Sequence, residues 1–308
     1  MEAIAARSLT KVYKAHVGRG AVRSLDDLNL TIGRNEVFGF LGRNGAGKTT
    51  TIKLLCSLLR PTRGEAFVMG ECVRKRAARR HIGYLPENPY FYEYLTPRET
   101  LDFYGRLHGL GAAARAVEWD KLCGLLDLEA IAGQRVRTFS KGMRQRLGFA
   151  VALVGDPDVL ILDEPMTGLD PLGRRAIREL ILQMRDENKT IFFSSHVLAD
   201  VEQICDRVGI LVKGKLTVTG RLDQLLARQI SQVEVIVAGL EGPSLEALSA
   251  KAASHRDSEA GRHLYAPDMD AANELVRLAQ AAGGKLVEFN PVKESLEDYF
   301  LREQEAIA

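Results

Sequence analysis

GRNGAGKT, Gly42 to Thr49, stands between an apolar run, Val37 to Leu41, and a helix-like segment, Lys48 to Leu59. Strand, glycine-rich loop and helix in that order match the phosphate-loop pattern GxxxxGK[ST] in the setting its chemistry needs. Gly42, Gly45 and Gly47 let the backbone curl so that its N–H groups point inward, and the helix that follows offers its positive N-terminal end to the same anion. Lys48 adds a point charge for the β- and γ-phosphates of a nucleoside triphosphate, and the Thr49 hydroxyl is placed to coordinate Mg²⁺. The rest of the loop, Arg43, Asn44 and Ala46, and the next residue, Thr50, belong to the same expected cradle.

Downstream, VLILDEP (Val159 to Pro165) is a short apolar strand ending in two adjacent carboxylates. That arrangement is costly unless a cation or a reacting water awaits them. Asp163 suits Mg²⁺, and Glu164 is the natural group to orient and deprotonate a water that attacks the γ-phosphate. Strand patterns at Val159 to Leu162 and Thr190 to Ser194 flank a helical Leu172 to Asp186, the βαβ rhythm of a parallel sheet. Upstream, Val22 to Ile32 and Glu36 to Leu41 read as strands. Residues 84 to 137 change character: Pro86, Pro89 and Pro97 punctuate an aromatic cluster, and Arg98 to Leu107 and Glu118 to Leu128 show apolar spacing of three and four, so a mostly helical insert is expected there, about 84–150 in all. Arg207 to Thr219 reads as a hairpin turning at Lys213 and Gly214.

After Gln229 the pattern becomes β-like Val233 to Val237, helix-like Ser244 to Ala253, polar Ser254 to Arg262, helix-like Ala271 to Ala282 and β-like Lys285 to Phe289. A second small α+β domain, 230–308, follows, with no glycine loop, metal-ligand spacing or nucleophile, and a regulatory or dimerisation role is its default. The first domain is then 1–229. A length of 308 residues suits one large and one small domain. A net charge of +2 gives no pull toward nucleic acid or membrane. No apolar run approaches the roughly 20 residues that span a bilayer. The start, MEAIAARSLTKVY, lacks a secretory pattern, and Cys56, Cys72, Cys123 and Cys205 stand singly, so buried, unpaired thiols in a reducing cytoplasm are expected.

Three further segments complete an ordered set: FSKGMRQR (Phe139 to Arg146), GLDP (Gly168 to Pro171) and SSH ending at His196. With the phosphate loop and VLILDEP, they make residues 1 to about 225 resemble the nucleotide-binding subunit of ABC transporters. The resemblance implies an α/β fold: a P-loop NTPase core of ABC type with an antiparallel β subdomain and a helical insert, plus the small C-terminal α+β domain. It implies an ATPase using ATP and Mg²⁺, working as a homodimer or heterodimer with two ATP molecules at the interface. Ser140, Lys141, Gly142 and Met143 become the signature loop that caps the γ-phosphate of ATP held by the opposite subunit. The sequence reads FSKGM where LSGGQ is commonest, so Lys141 and Met143 depart from the pattern while Ser140 and Gly142 are kept. Tyr13 becomes the adenine-stacking residue, His196 the γ-phosphate switch, and Asp170 an interface residue that couples the two sites. YLPEN puts Glu87 where the family usually carries a glutamine that senses Mg²⁺; a carboxylate can also ligate the ion.

The aromatic run Tyr90, Phe91, Tyr92 and Tyr94 reads first as core of the insert and second as a groove for a helix of a membrane permease. The basic run Arg74, Lys75, Arg76, Arg79 and Arg80 reads as a solvated helix face, and no nucleic acid is expected. One nucleotide-binding unit and a tail ending in SLEDYFL, Ser295 to Leu301, resemble subunits that pair with a separate integral membrane permease for export. That implies a cytoplasmic chain, peripheral on the cytoplasmic face of the inner membrane. The alternative is a soluble, non-transport ATPase of the same type acting on nucleic acid or the ribosome.

Overall fold

The computed structural model describes residues 2–14, 20–226, 230–293 and Leu296, and its contacts divide the chain into two compact units, Met1–Leu222 and Asp223–Ala308. In chain order the first unit runs β1 (Glu2–Tyr13), β2 (Val22–Gly33), β3 (Val37–Leu41), α1 (Lys48–Leu55), β4 (Arg63–Val68), β5 (Glu71–Cys72), α2 (Arg76–Arg80), β6 (Ile82–Leu85) and α3 (Pro97–Leu107). It continues through α4 (Ala112–Leu125), α5 (Lys141–Leu153), β7 (Val159–Asp163), α6 (Pro171–Asp186), β8 (Thr190–Ser195), α7 (Leu198–Ile204), β9 (Arg207–Val212) and β10 (Lys215–Arg221), and α8 (Leu222–Leu226) starts on the unit's last residue. The second unit holds β11 (Ile230–Ala238), α9 (Gly242–Ser249), β12 (Ser254–Ser258), β13 (Gly261–Ala266), α10 (Met269–Ala281) and β14 (Lys285–Lys293).

A six-stranded sheet of order β10-β9-β3-β8-β7-β6 forms the centre of the first unit. All its pairs are parallel except β10 with β9. VFGFL, VLILD and TIFFSS are buried at every position, as strands covered on both faces must be, and so they read as apolar runs rather than alternations. Phe192 packs between Phe38 and Phe40, with ring centroids 6.0 and 5.2 Å away. Parallel register decides the site. Leu41 lies beside Ser195 and Asp163 beside Ser194, so the loops leaving β3, β7 and β8 emerge side by side at the carboxyl edge, where open α/β sheets bind ligands.

An antiparallel sheet, β2-β1-β4-β5, stands beside this core. Its strand β1 had no counterpart in the sequence reading, because Arg7, Ser8, Thr10 and Lys11 interrupt the alternation where register shifts occur. Helix α3 starts where sequence signals agree: Thr96 and Glu99 form a reciprocal capping box and Pro97 occupies the first turn. The hairpin of β9 and β10 turns at Lys213 and Gly214 as expected, both with positive φ.

Four expectations need correction. Helix α1 stops at Leu55 rather than Leu59, because Ser57 takes a left-handed φ of 57° and the N–H groups of Leu58 and Leu59 both fold back to the Lys53 carbonyl. The polar stretch Ser254 to Arg262 forms β12, the turn and the start of β13; all five residues of β12 are exposed, so an edge strand left no alternation to read. In the aromatic run only Phe91 is core. Tyr90, Tyr92 and Tyr94 are 82%, 49% and 64% exposed, and Tyr92 packs against Tyr94 and Phe103 in a surface cluster. Cys56 and Cys123 are buried free thiols, but Cys72 and Cys205 are only partly buried. The basic run does lie on an exposed face, with Ala78 its one buried member between Arg76 and Arg80.

In the second unit, a four-stranded sheet of order β12-β13-β11-β14 packs Val233, Val235, Val237 and Leu264 against Leu248, Ala272, Leu275 and Ala279 of its helices. SLEDYFL lies outside the described residues except for Leu296, which is buried. Among the described residues no helix is long and apolar enough to cross a membrane.

Candidate functional site: a phosphate-loop cleft and a separate capping cavity

The loop between β3 and α1 is built around two glycine positions that admit no side chain. Gly47 has φ of 115°, and a Cβ there would sit 2.5 Å from the Ser24 carbonyl oxygen; at Gly42 it would meet the Leu211 carbonyl at 2.7 Å. The Lys48 side chain is buried and bends back under the loop, donating from Nζ to the Gly42 carbonyl at 2.6 Å. The loop and its helix floor a cleft of about 630 Å³ lined by Arg43, Asn44, Gly45, Gly47, Lys48, Thr49, Thr50, Glu87, Glu164 and His196, together with Ser24 and Thr167. Gly42 and Ala46 are buried beneath it rather than on its wall.

At the end of β7, Asp163 is buried and Glu164 turns into the cleft on a left-handed backbone, φ 50°. For a residue other than glycine this conformation costs on the order of 1 kcal/mol or more and persists only where neighbours enforce it. Ser194 is the enforcer: its hydroxyl donates to Asp163 Oδ1 at 2.7 Å and its oxygen accepts from the Glu164 amide at 3.0 Å. Every oxygen of the Glu164 carboxylate is engaged. Oε1 lies 3.2 Å from Lys48 Nζ, while Oε2 lies 2.8 Å from His196 Nδ1 and accepts from the Thr167 hydroxyl at 3.1 Å. A water beside this carboxylate would meet a base whose position is fixed from three directions.

Burial is the main reason the Asp163 carboxyl sits above its ordinary pKa, against the hydrogen bonds from Ser194 and Thr49. The Thr49 hydroxyl is 3.4 Å from Asp163 Oδ1. A buried carboxylate next to a hydroxyl at a phosphate cradle fits Mg²⁺, which keeps most of its shell from water and phosphate and takes few protein ligands. Glu87 is exposed and lines the same cleft.

Tyr13 stands at the cleft's edge, 38% exposed, with its hydroxyl 3.4 Å from Thr50 Oγ1 and the Lys11 ammonium 5.2 Å from its ring centre. Thr50 is also tied to Ser24, 2.9 Å between hydroxyl oxygens.

An uncharacterized ABC transporter ATP-binding protein of Synechocystis sp. is 41% identical to this chain over 298 residues, covering 96% of the chain and 82% of the relative. This chain belongs to the family of ABC transporter ATP-binding proteins. The ABC transporter family model itself matches residues 25–167. The Bacillus licheniformis bacitracin transport ATP-binding protein BcrA is 42% identical over 229 residues, 73% of this chain and 72% of that one. Among solved structures, one described as the ATP-binding subunit of an ABC transporter superposes with a TM-score of 0.64 at 32% identity, covering 73% of this chain and 92% of its own. The chain is therefore an ATP-binding ABC transporter subunit and an ATPase, with the mixed α/β fold and antiparallel β subdomain of that family.

Its remaining motif residues do not reach the cleft. Ser140, Lys141, Gly142, Met143 and Asp170 line a different cavity of about 740 Å³, walled by Leu125, Leu126, Leu169, Leu172, Ile177 and Leu180. Two helices begin here. Ser140 caps α5, its hydroxyl oxygen accepting from the Met143 amide at 3.3 Å, and Asp170 caps α6 by accepting from the Gly173 amide at 2.8 Å. The unusual Lys141 lies across Gly168, where an added Cβ would fall 2.3 Å from its ammonium, so its side chain is folded onto the neighbouring loop. Behind it, the buried Gln145 donates to the Pro165 carbonyl at 2.8 Å and ties α5 to the segment that follows Glu164.

Sequence reasoning missed Ser24, Thr167 and Ser194. Ser194 lies inside the quoted SSH motif and Thr167 between VLILDEP and GLDP, within two or three residues of His196 and Glu164, and both were legible as polar residues next to buried strands. Ser24 carries no local signal; the antiparallel sheet brings it to the loop.

Proposed function

We propose that this ABC transporter ATP-binding protein powers a separate integral membrane permease, in the export direction, and works as a homodimer or heterodimer that closes around two ATP molecules. One observation carries the dimer: the cleft lined by Lys48, Thr49, Glu164 and His196 contains none of Ser140, Gly142 or Asp170, which line the other cavity. A second copy would bring its capping cavity to the first copy's cleft, so that the amides at the start of α5 and the Ser140 hydroxyl face the γ-phosphate. Within the cleft, loop amides and Lys48 hold the β- and γ-phosphates, and Tyr13 offers its ring to adenine. Thr49 and Asp163 would hold Mg²⁺, with Glu87 at its outer side, and the ion supplies neutralising charge on the phosphates. Glu164 orients the attacking water and takes its proton, while His196 fixes the carboxylate and contacts the γ-phosphate.

The second unit, Asp223–Ala308, which contains the 230–308 domain expected from the sequence, is assigned a regulatory or dimerisation role. BcrA is named for bacitracin transport, which supports a transport partner over nucleic acid or ribosome; the exposed Tyr90, Tyr92 and Tyr94 beside Glu87 are the surface such a permease would meet. The place of work is then the cytoplasmic face of the membrane. Gel filtration of Glu164→Gln with Mg-ATP tests the shared site: a dimer holding two nucleotides is expected, and a monomer that hydrolyses ATP at full rate overturns the reading. For the partner, membrane association of the chain should require a co-expressed permease.

A further inference from the structure

The two hollows of one chain are joined by a charged clamp that neither hollow contains. Helix α6 begins at Asp170, on the capping cavity, and α7 begins two residues after His196, on the cleft. Asp200, in the first turn of α7, is 3% exposed. Its Oδ1 accepts from Arg178 Nη1 at 2.8 Å, and its Oδ2 lies 3.1 Å from Arg174 Nη2, with both arginines on α6. The Arg174 contact is an ion pair without hydrogen-bond alignment, and Arg174 Nε is buried without a hydrogen-bond partner among the described residues. Arginine is thus held there by charge more than by geometry, and removing the carboxylate would strand two cations between packed helices. Arg174 is only four residues from Asp170, about one helical turn, and Asp200 lies four residues after His196, in the first turn of the helix that follows it.

We propose that Asp200, with Arg174 and Arg178, is a positioning cluster that makes the His196 loop and the Asp170 loop move as one body, so that events in a chain's own cleft are transmitted to the cavity it offers its partner. This rests on the shared-site reading above. The cluster touches no nucleotide and acts through His196 and Asp170.

Steady-state hydrolysis by the full chain tests it. Asp200→Asn keeps the shape and removes the charge; kcat should fall on the order of tenfold, the scale of a small misplacement of aligned groups, while equilibrium ATP affinity stays within about twofold because the phosphate loop is untouched. The decisive readout is non-additivity with Asp170→Asn, which still caps α6. If both residues act through one connection, the double variant is no slower than the slower single. Asp200→Glu, which restores the charge, should recover part of the rate. Should Asp200→Asn not fold, Arg174→Gln leaves the Arg178 bond in place and should show a smaller loss with the same non-additivity. An unchanged kcat, or losses that multiply in the double variant, overturns the clamp. Failure of Glu164→Gln to dimerise would instead remove the shared site on which the clamp acts.

Discussion

The cleft and the capping cavity are similar in size, about 630 and 740 Å³, and opposite in chemistry. In and behind the cleft, charged and hydroxyl side chains answer one another inside a single chain: Lys48, Glu164, His196, Thr167, Ser194 and Asp163 form one connected set. In the cavity, the polar groups of Ser140 and Asp170 serve helix starts above an apolar wall. On the proposed shared-site reading, reactivity is assembled by folding and completion of the site is left to association, so that a subunit would bind nucleotide alone and wait for a second copy before cleaving it.

The sharpest way to break the contrast is Glu164→Gln. Hydrolysis should fall by roughly two orders of magnitude or more, the scale of a lost general base, with ATP still bound; phosphate release and nucleotide titration would show both. A wild-type rate would move attention to Glu87 or His196. Next comes the cavity. Ser140→Arg should leave ATP binding to the isolated chain unchanged and reduce hydrolysis by roughly tenfold to a hundredfold, with loss of the ATP-dependent dimer in light scattering. Normal turnover would end the division of labour. Lys48→Ala should weaken ATP about tenfold to a hundredfold, since a charge-assisted hydrogen bond to phosphate is worth about 1.5–3 kcal/mol; calorimetry with a non-hydrolysable analogue measures it.

The smallest effect has the opposite sign. Burial raises the Asp163 pKa, so its contribution to stability is fully present below the unfolded carboxyl pKa and is lost as pH rises through the folded value. Asp163→Asn should therefore stabilise the chain by about 1 kcal/mol near neutral pH, with the gain shrinking toward acid, while Mg²⁺-dependent hydrolysis is lost. Melting curves of both proteins at neutral and acidic pH would check this, and a pH-independent difference would count against it.

The contrast also explains what could be read in advance. Cleft residues sit on loops that leave buried parallel strands, so apolar runs and polar punctuation mark them in one dimension; Gly42 to Thr49, Asp163 and Glu164 were legible for that reason, whereas His196 was legible only through the resemblance carried by the surrounding motifs. Ser24 was not, because its place depends on how a separate antiparallel sheet docks. The polar edge strand Ser254–Ser258 hid because no face of it is buried, and Tyr90, Tyr92 and Tyr94 misled because aromatic residues in a row look like core until the backbone turns three of them outward.

Ser140 shows how narrowly a single atom can be committed. One lone pair of its oxygen already takes the Met143 amide, which leaves the hydroxyl hydrogen as the only thing it can offer an incoming oxyanion. An aspartate here would start the helix equally well, yet it would bring no proton and a repelling charge. The fold therefore accepts any good N-cap residue at this position, and on the shared-site proposal chemistry at the partner's phosphate would narrow the choice to those that can give a hydrogen while receiving one.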